Sequence, residues 1–360
     1  MHLAATCNPG LEEIAIQEIK EKTGREAEVF HRGLLVFRGK EKDVFKLNYL
    51  SKTLHRIIVV LEMAKAKSLD DFYSTVRRID FSEYISPDQS FAVRTKRSGN
   101  HPFTSVEISS VIGQAVIDSF LESRGKRLRV NLSEPDLTFL VDVRNETFLL
   151  GIDTTGESLH KRWYRKRTYV TSLRSTIANS MVRISGLRNR ETFLDPMCGV
   201  GMIPIEAFHF LSGKPNKFRS FAFEKFFWLD CSDFHHLKKE HGEREVESEI
   251  CGSDRNERVI ALAEENSRAA EARIRFFVSD ATRQDLNYDR LCVDLPYGIR
   301  MRTPLRKLYE GFFNNLLASD FKRAVILTAS RCSRFMPDLE FERVYEAEYG
   351  DVKVKLFVLG

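Results

Sequence analysis

The feature that most constrains the fold is an alternation of short apolar runs and amphipathic segments that begins at residue 172. Runs such as ETFLDP and EICGSD have the length of buried strands, and segments with helical periodicity separate them. Buried strands joined by helices predict a parallel sheet covered on both faces, which is an α/β fold. Two alternating runs near the end, FERVYEAEYG and KVKLFVLG, have no helix between them and predict an antiparallel strand pair.

An acidic residue stands at the end of four predicted strands: Asp195, Asp254, Asp280 and Asp294. The carboxyl ends of parallel strands meet at one edge of a sheet, where open α/β sheets bind ligands. A carboxylate after the second strand suits a ribose diol, and Asp280 suits an adenine amino group as a hydrogen-bond acceptor. The pattern predicts a ligand site at this edge, with helix N-capping as the alternative role for Asp254.

The first of these strand ends continues into a glycine turn, LDPMCGVGMIPIEA. Gly199 and Gly201 allow the backbone to turn tightly and approach a ligand, and a helix is predicted from Met202. The third glycine of the dinucleotide fingerprint is missing, and Asp254 lies farther along than the roughly 20 residues such a site requires. The spacing alone also fits an ordinary turn, so the prediction of a nucleotide-type site depends on the acidic strand ends.

The motif VDLPYGIRM raises a question of chemistry, because enzymes that methylate amino groups of nucleobases use Asp/Asn-Pro-Pro-aromatic and this chain has Leu295 at the second position. The nitrogen lone pair of such an amine is delocalised into the ring, and acceptors on its two N–H bonds counter that delocalisation. The Asp294 carboxylate and a carbonyl around Pro296 are predicted to be these acceptors. Tyr297 offers a flat face for a base taken out of its stack. The alternative is a strand end followed by a simple turn.

Two small α+β units are predicted before residue 156. Asn8 and Pro9 resemble a cap residue and a first helical position, and the helix that follows ends at Gly24. The second unit has a strand, a basic loop, a long amphipathic helix, and two strands joined by a polar turn at 144–145.

Two clusters of basic residues are candidates for contacts with nucleic acid. One lies in the loop of the second unit, and the other surrounds Trp163 and Tyr164 in a linker. Lys and Arg bind phosphates in a salt-sensitive way without reading sequence, and a solvated surface is the alternative for each residue taken singly. The predicted RNA contacts are Arg94, Lys96, Arg97, Lys161, Arg162, Arg165, Lys166 and Arg167.

Composition sets the class of protein. Hydrophobic residues make up 42% of the chain, charged residues 30%, and no apolar run approaches the roughly 20 residues of a membrane helix. A net charge of +5 leaves nucleic-acid binding to local patches. The absence of a secretory signal and the six scattered cysteines predict a cytoplasmic protein with reduced thiols and without bound metal.

An insertion at 212–249 separates the first crossover helix from the next strand. Its first half is rich in Phe and is predicted to dock on the body of the protein, whereas its charged second half is predicted to be a solvated helix. Three histidines in it, His235, His236 and His241, fit a polar helical surface better than a metal site. The role of the insertion is left open.

These motifs together resemble a known family over essentially the whole chain. The sheet segment with DPMCGVG and DLPY looks like a Rossmann-fold class I S-adenosylmethionine-dependent methyltransferase. GIDTTGESLHKRWYRK resembles the junction after a THUMP RNA-binding domain, and CNPGLEEIAIQEI looks like the start of the ferredoxin-like domain that precedes THUMP. The chain is most similar to the THUMP-containing guanine-N2-methyltransferases that act on guanosine at position 6 of the tRNA acceptor stem.

The resemblance implies a role for each site residue. It assigns Asp294, Pro296 and Tyr297 to the reacting guanine. The position-6 group resembles Asp/Asn-Leu/Met-Pro-aromatic, so Leu295 favours that group. S-adenosylmethionine is the implied cofactor, and its implied contacts are Asp195, Gly199, Gly201, Met202, Asp254, Arg255, Asp280, Ala281, Ser172, Leu173 and Arg174.

The expected domain order is a ferredoxin-like domain at 1–60, a THUMP domain at 61–155, a basic linker at 156–171 and a methyltransferase domain at 172–360. The expected reaction is N2-methylation of guanosine in tRNA, with neither metal nor membrane as a partner. The oligomeric state is left open, with a monomer favoured over an oligomer. The rivals are the same chemistry at another tRNA position or in large-subunit ribosomal RNA, and an RNA-binding protein whose methyltransferase fold has lost turnover. The intact strand-end acids argue against the last rival.

Overall fold

The computed structural model describes residues 1–166, 173–297, 305–350 and 352–360. Two predicted site residues, Arg167 and Ser172, lie outside the described residues. In the first part of the chain the strands β1 to β8 span His2–Cys7, Ala27–His31, Leu34–Arg38, Leu54–Lys65, Ser90–Ser98, Arg129–Val130, Leu137–Arg144 and Thr147–Asp153. The helices α1 to α4 span Glu12–Thr23, Glu41–Leu50, Leu69–Val76 and Ser105–Arg124.

These eight strands form one continuous sheet in the order β2-β3-β1-β4-β8-β7-β5-β6. The long strand β4 pairs antiparallel with β1 on one side and with β8 on the other. It therefore joins the two predicted α+β units into a single sheet, and residue 60 lies inside it. The domain division at residue 60 remains a prediction.

Alternation along the strands decides which face of this sheet the helices cover. Leu3 and Ala5 of β1, with Ile57 and Val59 of β4, pack into the large core beneath the helices. The intervening residues belong to a smaller apolar cluster that includes Ala4 and Ile58, since successive side chains of a strand point to opposite faces.

The second part of the chain contains helices α5 to α9, which span Ser175–Ser185, Met202–Ser212, Ser232–Glu240, Glu257–Ala269 and Leu305–Leu317. Its strands β9 to β15 span Phe193–Asp195, Ile250–Asp254, Arg275–Val278, Arg290–Asp294, Arg323–Ala329, Arg343–Tyr349 and Val352–Leu359. They form a sheet in the order β11-β10-β9-β12-β13-β15-β14.

This second sheet has the predicted mixed architecture. Strands β9 to β13 are parallel, whereas β15 runs antiparallel to β13 and to β14. The order of the strands reverses at β9, which pairs with β10 on one side and with β12 on the other. A reversal of this kind opens a crevice at the carboxyl ends of the two diverging strands, the place where α/β sheets bind ligands.

The beginning of the chain packs against the second sheet. The Asn8 side chain donates to the Thr176 hydroxyl across 3.0 Å, and α1 starts only at Glu12, so the prediction that Asn8 caps this helix is wrong. A Cβ atom added to Gly10 would lie 1.8 Å from the carbonyl oxygen of Glu346. The NPG sequence is therefore a close contact between the two parts of the molecule.

The insertion docks on the first sheet's helical layer, as its Phe-rich half predicts. Phe221, Phe223 and Phe226 of this half are buried in the same core as helix α2, and Phe234 of the charged second half, on α7, is buried there as well. In the second half of the insertion, His235 and His236 are exposed on α7. In the described parts of the chain, no cluster of metal-ligating side chains is present, and none of the helices has the length and apolar character of a membrane span.

Candidate active site

Three acidic side chains end adjacent strands at the crevice. Asp254, Asp195 and Asp294 are the last residues of β10, β9 and β12, which are neighbours in that order. The Asp195 side chain is buried, with only 1% of the residue exposed, and accepts a 3.1 Å hydrogen bond from the Met197 amide. Burial, together with the negative charges of Asp294 and Asp254, raises the pKa of Asp195 well above its usual range. These strand ends are called the acidic rim below.

The glycine turn connects β9 to α6 and is hydrogen-bonded to the neighbouring strand β10. The Cys198 amide donates to the Ser253 carbonyl across 2.8 Å, and the Gly199 amide donates to Asp254 Oδ2 across 3.2 Å. Gly199 and Gly201 both have left-handed backbone conformations, with φ of 52° and 82°. Only glycine adopts this region without a steric penalty.

The two glycines face different surroundings. A Cβ atom on Gly199 would meet no atom within 4 Å, whereas one on Gly201 would lie 3.0 Å from the Phe276 ring and 3.1 Å from Ala263. Gly199 therefore leaves open space above the turn, and Gly201 allows α6 to pack closely against its neighbours. Helix α6 begins at the next residue, Met202, as predicted.

The structure tests one of the two roles considered for Asp254, that of a helix cap. Asn256, not Asp254, caps helix α8, because its side chain accepts a 3.1 Å hydrogen bond from the Arg258 amide. The Asp254 carboxylate instead accepts from the Gly199 and Asn256 amides. The carboxylate thus joins the glycine turn to the end of β10. Arg255, another predicted cofactor contact, is the next residue in the chain.

Asp280 and Ala281 lie just beyond β11, at the outer end of the acidic rim. The Asp280 carboxylate accepts 2.9 Å hydrogen bonds from the amide and the hydroxyl of Thr282. Asp280 is exposed, and these bonds lower its pKa. The hydrogen bond from the Thr282 amide has the larger effect. Ala281 is buried, and its carbonyl accepts a 3.0 Å hydrogen bond from Asn315 of α9.

Leu295 fixes the strand end that carries Asp294. Its amide donates a 2.9 Å hydrogen bond to the Leu327 carbonyl of β13, and its side chain is fully buried. A proline at this position has no amide hydrogen and could not form this bond. The structure therefore gives Leu295 a role that the proline of the general motif cannot fill.

Asp294 and Tyr297 contact each other at the rim. The Tyr297 hydroxyl donates a 2.5 Å hydrogen bond to Asp294 Oδ1. Burial raises the pKa of Asp294 to about 7, although this hydrogen bond favours the charged form. Near neutral pH, Asp294 is therefore present in both its ionised and its protonated form.

Tyr309 is a contact of the motif that the sequence did not reveal. Its hydroxyl donates to the Pro296 carbonyl across 3.1 Å and lies 2.6 Å from the Thr328 hydroxyl. Tyr309 is fully buried in α9, and in the sequence it looks like any aromatic residue on the apolar face of a helix. The carbonyl keeps a second lone pair for another donor.

The start of α5 carries the two remaining predicted cofactor contacts. Leu173 is buried, and the Arg174 carbonyl accepts 3.0 Å hydrogen bonds from the amides of Ile177 and Ala178. The backbone of Arg174 thus forms the first turn of this helix.

The basic linker does not present all its cations to solvent. Arg162 is only 5% exposed and donates to Glu206 Oε1 across 2.8 Å and to the Lys52 carbonyl across 2.8 Å. The prediction that Arg162 contacts RNA is therefore corrected, since its guanidinium is used inside the protein. Lys161 and Lys166 are exposed, and Arg165 is half-buried.

The predicted RNA contacts of the first sheet lie on β5. Arg94, Lys96 and Arg97 are exposed at the end of this strand. Burial lowers the pKa of His55 on β4 to about 3, and His160, Arg174, Arg162 and Lys96 act in the same direction.

Comparison with family models accounts for nearly the whole chain. Residues 162–354 match the model described as "RMKL-like, methyltransferase domain". Residues 66–153 match the THUMP domain, and residues 2–58 match the RlmL ferredoxin-like domain.

Individual proteins match over similar lengths. The tRNA (guanine(6)-N2)-methyltransferase of Methanocaldococcus jannaschii is 35% identical over 381 aligned residues, which cover 100% of both chains. The tRNA (guanine(6)-N2)-methyltransferase of Archaeoglobus fulgidus is 36% identical and aligns with 90% of this chain and 82% of that protein. The solved structure of SMU.472, complexed with SAH, matches with a TM-score of 0.87 at 22% identity, over 99% of this chain and 97% of that one. The last match shows a common fold, and the predicted fold class is confirmed.

Proposed function

The chain belongs to the THUMP-containing family of RMKL-like methyltransferases, and from this premise we propose that it methylates the exocyclic N2 amine of a guanosine in tRNA. The target is position 6 of the acceptor stem, and the methyl donor is S-adenosylmethionine. Two relatives at 35% and 36% identity carry this activity in their names. A tRNA substrate implies that the protein works in the cytoplasm.

The observation that carries the proposal is the placement of Asp294 at the crevice of the second sheet. The strand end is fixed by the amide of Leu295, and the carboxylate is oriented by the hydroxyl of Tyr297. A carboxylate held in this way accepts a hydrogen bond from the amine and directs its lone pair away from the ring. The Pro296 carbonyl, oriented by Tyr309, is the proposed second acceptor.

The acidic rim fits the proposed cofactor. S-adenosylmethionine supplies a methyl group on a positively charged sulfonium and carries an ammonium group. Burial and the charges of Asp294 and Asp254 raise the pKa of Asp195, so a cationic ligand would favour its ionised form. The open space above Gly199 lets such a ligand approach the backbone. We assign Asp195 and Asp254 to the methionine and ribose portions, respectively.

The first sheet and the linker are the proposed RNA-binding parts. The exposed cations of β5 and of the linker, Lys96, Lys161 and Lys166 among them, would contact phosphates without reading sequence. Methylation of a base within a helix requires its extrusion from the stack, and Tyr297 is the proposed stacking face. RNA affinity should therefore fall steeply as salt increases.

The decisive experiment maps the methylated nucleotide. The protein is incubated with labelled S-adenosylmethionine and transfer RNA, and the product is digested and identified by mass spectrometry. We expect N2-methylguanosine at position 6 and no incorporation into a tRNA with adenosine at that position. Methylation at another guanosine, or of ribosomal RNA only, would overturn the proposed substrate.

A variant separates the chemistry from binding. Asp294→Ala should abolish turnover while cofactor affinity, measured by calorimetry, stays near that of the wild type. Lost cofactor affinity with retained activity would contradict the assignment of Asp294 to the guanine. Absence of methylation of any RNA by the wild type would favour the rival of an RNA-binding protein without turnover.

A further inference from the structure

A buried carboxylate on α6 connects three separate segments of the chain. Glu206 is fully buried and accepts hydrogen bonds from Arg162 Nε at 2.8 Å and from Asn179 at 3.0 Å. It also accepts a 2.5 Å hydrogen bond from the Tyr164 hydroxyl. Its partners belong to the linker and to α5, so Glu206 holds both of these segments against α6.

The Tyr164 hydroxyl touches the beginning of α6 as well. It lies 3.3 Å from the Met202 sulfur, while Tyr164 itself is fully buried. Met202 is the first residue of α6 and directly follows the glycine turn at 199–201. One hydroxyl group therefore links the linker both to the carboxylate of Glu206 and to the end of the turn assigned to the cofactor.

The same linker segment exposes cations on either side of these anchors. Lys161 and Lys166 are exposed, whereas Arg162 and Tyr164 between them are buried. The Arg162 guanidinium also donates to the Lys52 carbonyl just before β4, the strand shared by both halves of the first sheet. The exposed lysines therefore flank buried residues that contact α6 and the first sheet.

We propose that Tyr164 and Glu206 are positioning residues that couple RNA bound at the linker to the glycine turn, so that RNA and cofactor strengthen each other's binding. This inference rests on the proposed function for the identity of the two ligands. Binding of RNA at Lys161 and Lys166 restrains the linker, the restrained hydroxyl of Tyr164 holds the start of α6, and the turn keeps its ligand-binding shape. By thermodynamic linkage the cofactor must raise RNA affinity by the same factor.

The test compares two substitutions that each delete one hydroxyl. Tyr164→Phe removes the bonds to Glu206 and Met202 but keeps the buried ring, and Arg162 and Asn179 still satisfy Glu206. Tyr73→Phe is the matched control, because its hydroxyl donates to a carboxylate, Asp118, across 2.8 Å in the first sheet's helical layer, away from α6.

The measurement is the dissociation constant of S-adenosylhomocysteine, which cannot transfer a methyl group, with and without saturating tRNA. In the wild type and in Tyr73→Phe, tRNA should tighten binding by about 5-fold or more, within the usual range of coupling between sites. In Tyr164→Phe the factor should fall to about 2 or less. The affinity for tRNA, measured with and without the cofactor product, should change by the same factors.

Two results would overturn the inference: a wild type in which tRNA leaves the cofactor dissociation constant unchanged, or a Tyr164→Phe variant that keeps the wild-type factor. If Tyr164→Phe does not fold, Met202→Leu serves instead, because it removes the sulfur contact and leaves the bond between Tyr164 and Glu206. Met202→Leu should lower the factor below that of Tyr73→Phe. Failure of the proposed function is distinct, since it would appear as absent methylation at position 6 irrespective of coupling.

Discussion

Two groups of buried carboxylates in this molecule respond to burial in opposite ways. At the acidic rim, burial raises the pKa of Asp195 well above its usual range and that of Asp294 to about 7. The neighbouring charges there are other carboxylates, which add to the effect on Asp195. Burial at the rim therefore favours the protonated forms of Asp195 and Asp294, and a cationic ligand would favour their ionised forms.

Between the two sheets, the carboxylates have cationic partners. Glu18 of α1 lies 2.8 Å from the Arg183 guanidinium, and Glu206 lies 2.8 Å from that of Arg162. Burial alone would raise the pKa of Glu18, but the charge of Arg183 and the hydroxyls of Ser51 and Thr53 lower it to about 2. In Glu206, likewise, Arg162 overcomes burial and lowers the pKa.

This difference in pKa shift separates carboxylates that stabilise the fold from carboxylates of the candidate site. A carboxylate that only holds the fold together gains from a paired cation, because an unpaired buried charge is costly. A carboxylate that must receive a cationic cofactor or an amine has to stay without one. The direction of the pKa shift thus separates Glu18 and Glu206, which join the two parts of the chain, from Asp195 and Asp294 at the crevice.

The largest expected effect comes from breaking an interior pair. Arg162→Met should lower the free energy of unfolding by about 3 to 5 kcal/mol, because Glu206 would remain buried without its cation. Chemical denaturation measures this change. Lys161→Met is the matched control: its ion pair with Glu157 is exposed at 3.2 Å, and its loss should cost less than about 1 kcal/mol.

A second substitution sharpens this result. If the cost arises from an uncompensated charge, Arg162→Met combined with Glu206→Leu should recover much of the lost stability. Equal stability of Arg162→Met and Lys161→Met would contradict the scaffold role of Arg162.

The strand ends and the glycine turn were open to prediction from sequence because their signals are local. Asp195, Asp254 and Asp294 each end a short apolar run, and Gly199 and Gly201 follow the first of these runs directly. The parallel arrangement of the strands then places the carboxylates at one edge. Local pattern and topology together were sufficient for this part of the candidate site.

The interior pairs could not be predicted, because their partners are far apart in sequence. Glu206 and Arg162 are 44 positions apart, and Glu18 and Arg183 are 165 positions apart. Arg162 stands among exposed cations in the linker, and nothing in the local pattern says that its side chain turns inward. The continuity of the first sheet across residue 60 was missed for a related reason, since pairing on both sides of β4 is a tertiary property.

We expect an intermediate effect on stability when a rim carboxylate is replaced by the corresponding amide. The folded pKa of Asp294, about 7, exceeds its ordinary value of 3.8, so the folded chain binds more protons than the unfolded chain between these pH values. Stability conferred by this group therefore falls as the pH rises through that window. Asp294→Asn avoids the loss and should be more stable than the wild type by about 1 to 2 kcal/mol at pH 8, with no difference at pH 3.

Glu18, in the interior, serves as a control with the opposite pH dependence of stability. Glu18 has a folded pKa of about 2 against an ordinary value of 4.5, so its contribution is present above pH 4.5 and is lost as the pH falls. Glu18→Gln should therefore destabilise the protein at pH 7, and the deficit should narrow below pH 4.5. Thermal unfolding of both variants across pH measures the contrast. Parallel pH dependence in the two variants would break the distinction between rim and interior.

The smallest effect concerns the hydroxyl that orients the rim carboxylate. Tyr297 donates to Asp294 Oδ1 and favours its charged form. Asp294 is the stronger hydrogen-bond acceptor for the amine when it is ionised, so kcat/KM for tRNA should rise with pH through the pKa of this group. Tyr297→Phe removes the donor and should move the inflection to higher pH by about half to one unit, the equivalent of one hydrogen bond. Tyr73→Phe should leave the inflection in place. A shift to lower pH would mean that Tyr297 holds the protonated form of Asp294, and the rim would then lack the acceptor that the chemistry requires.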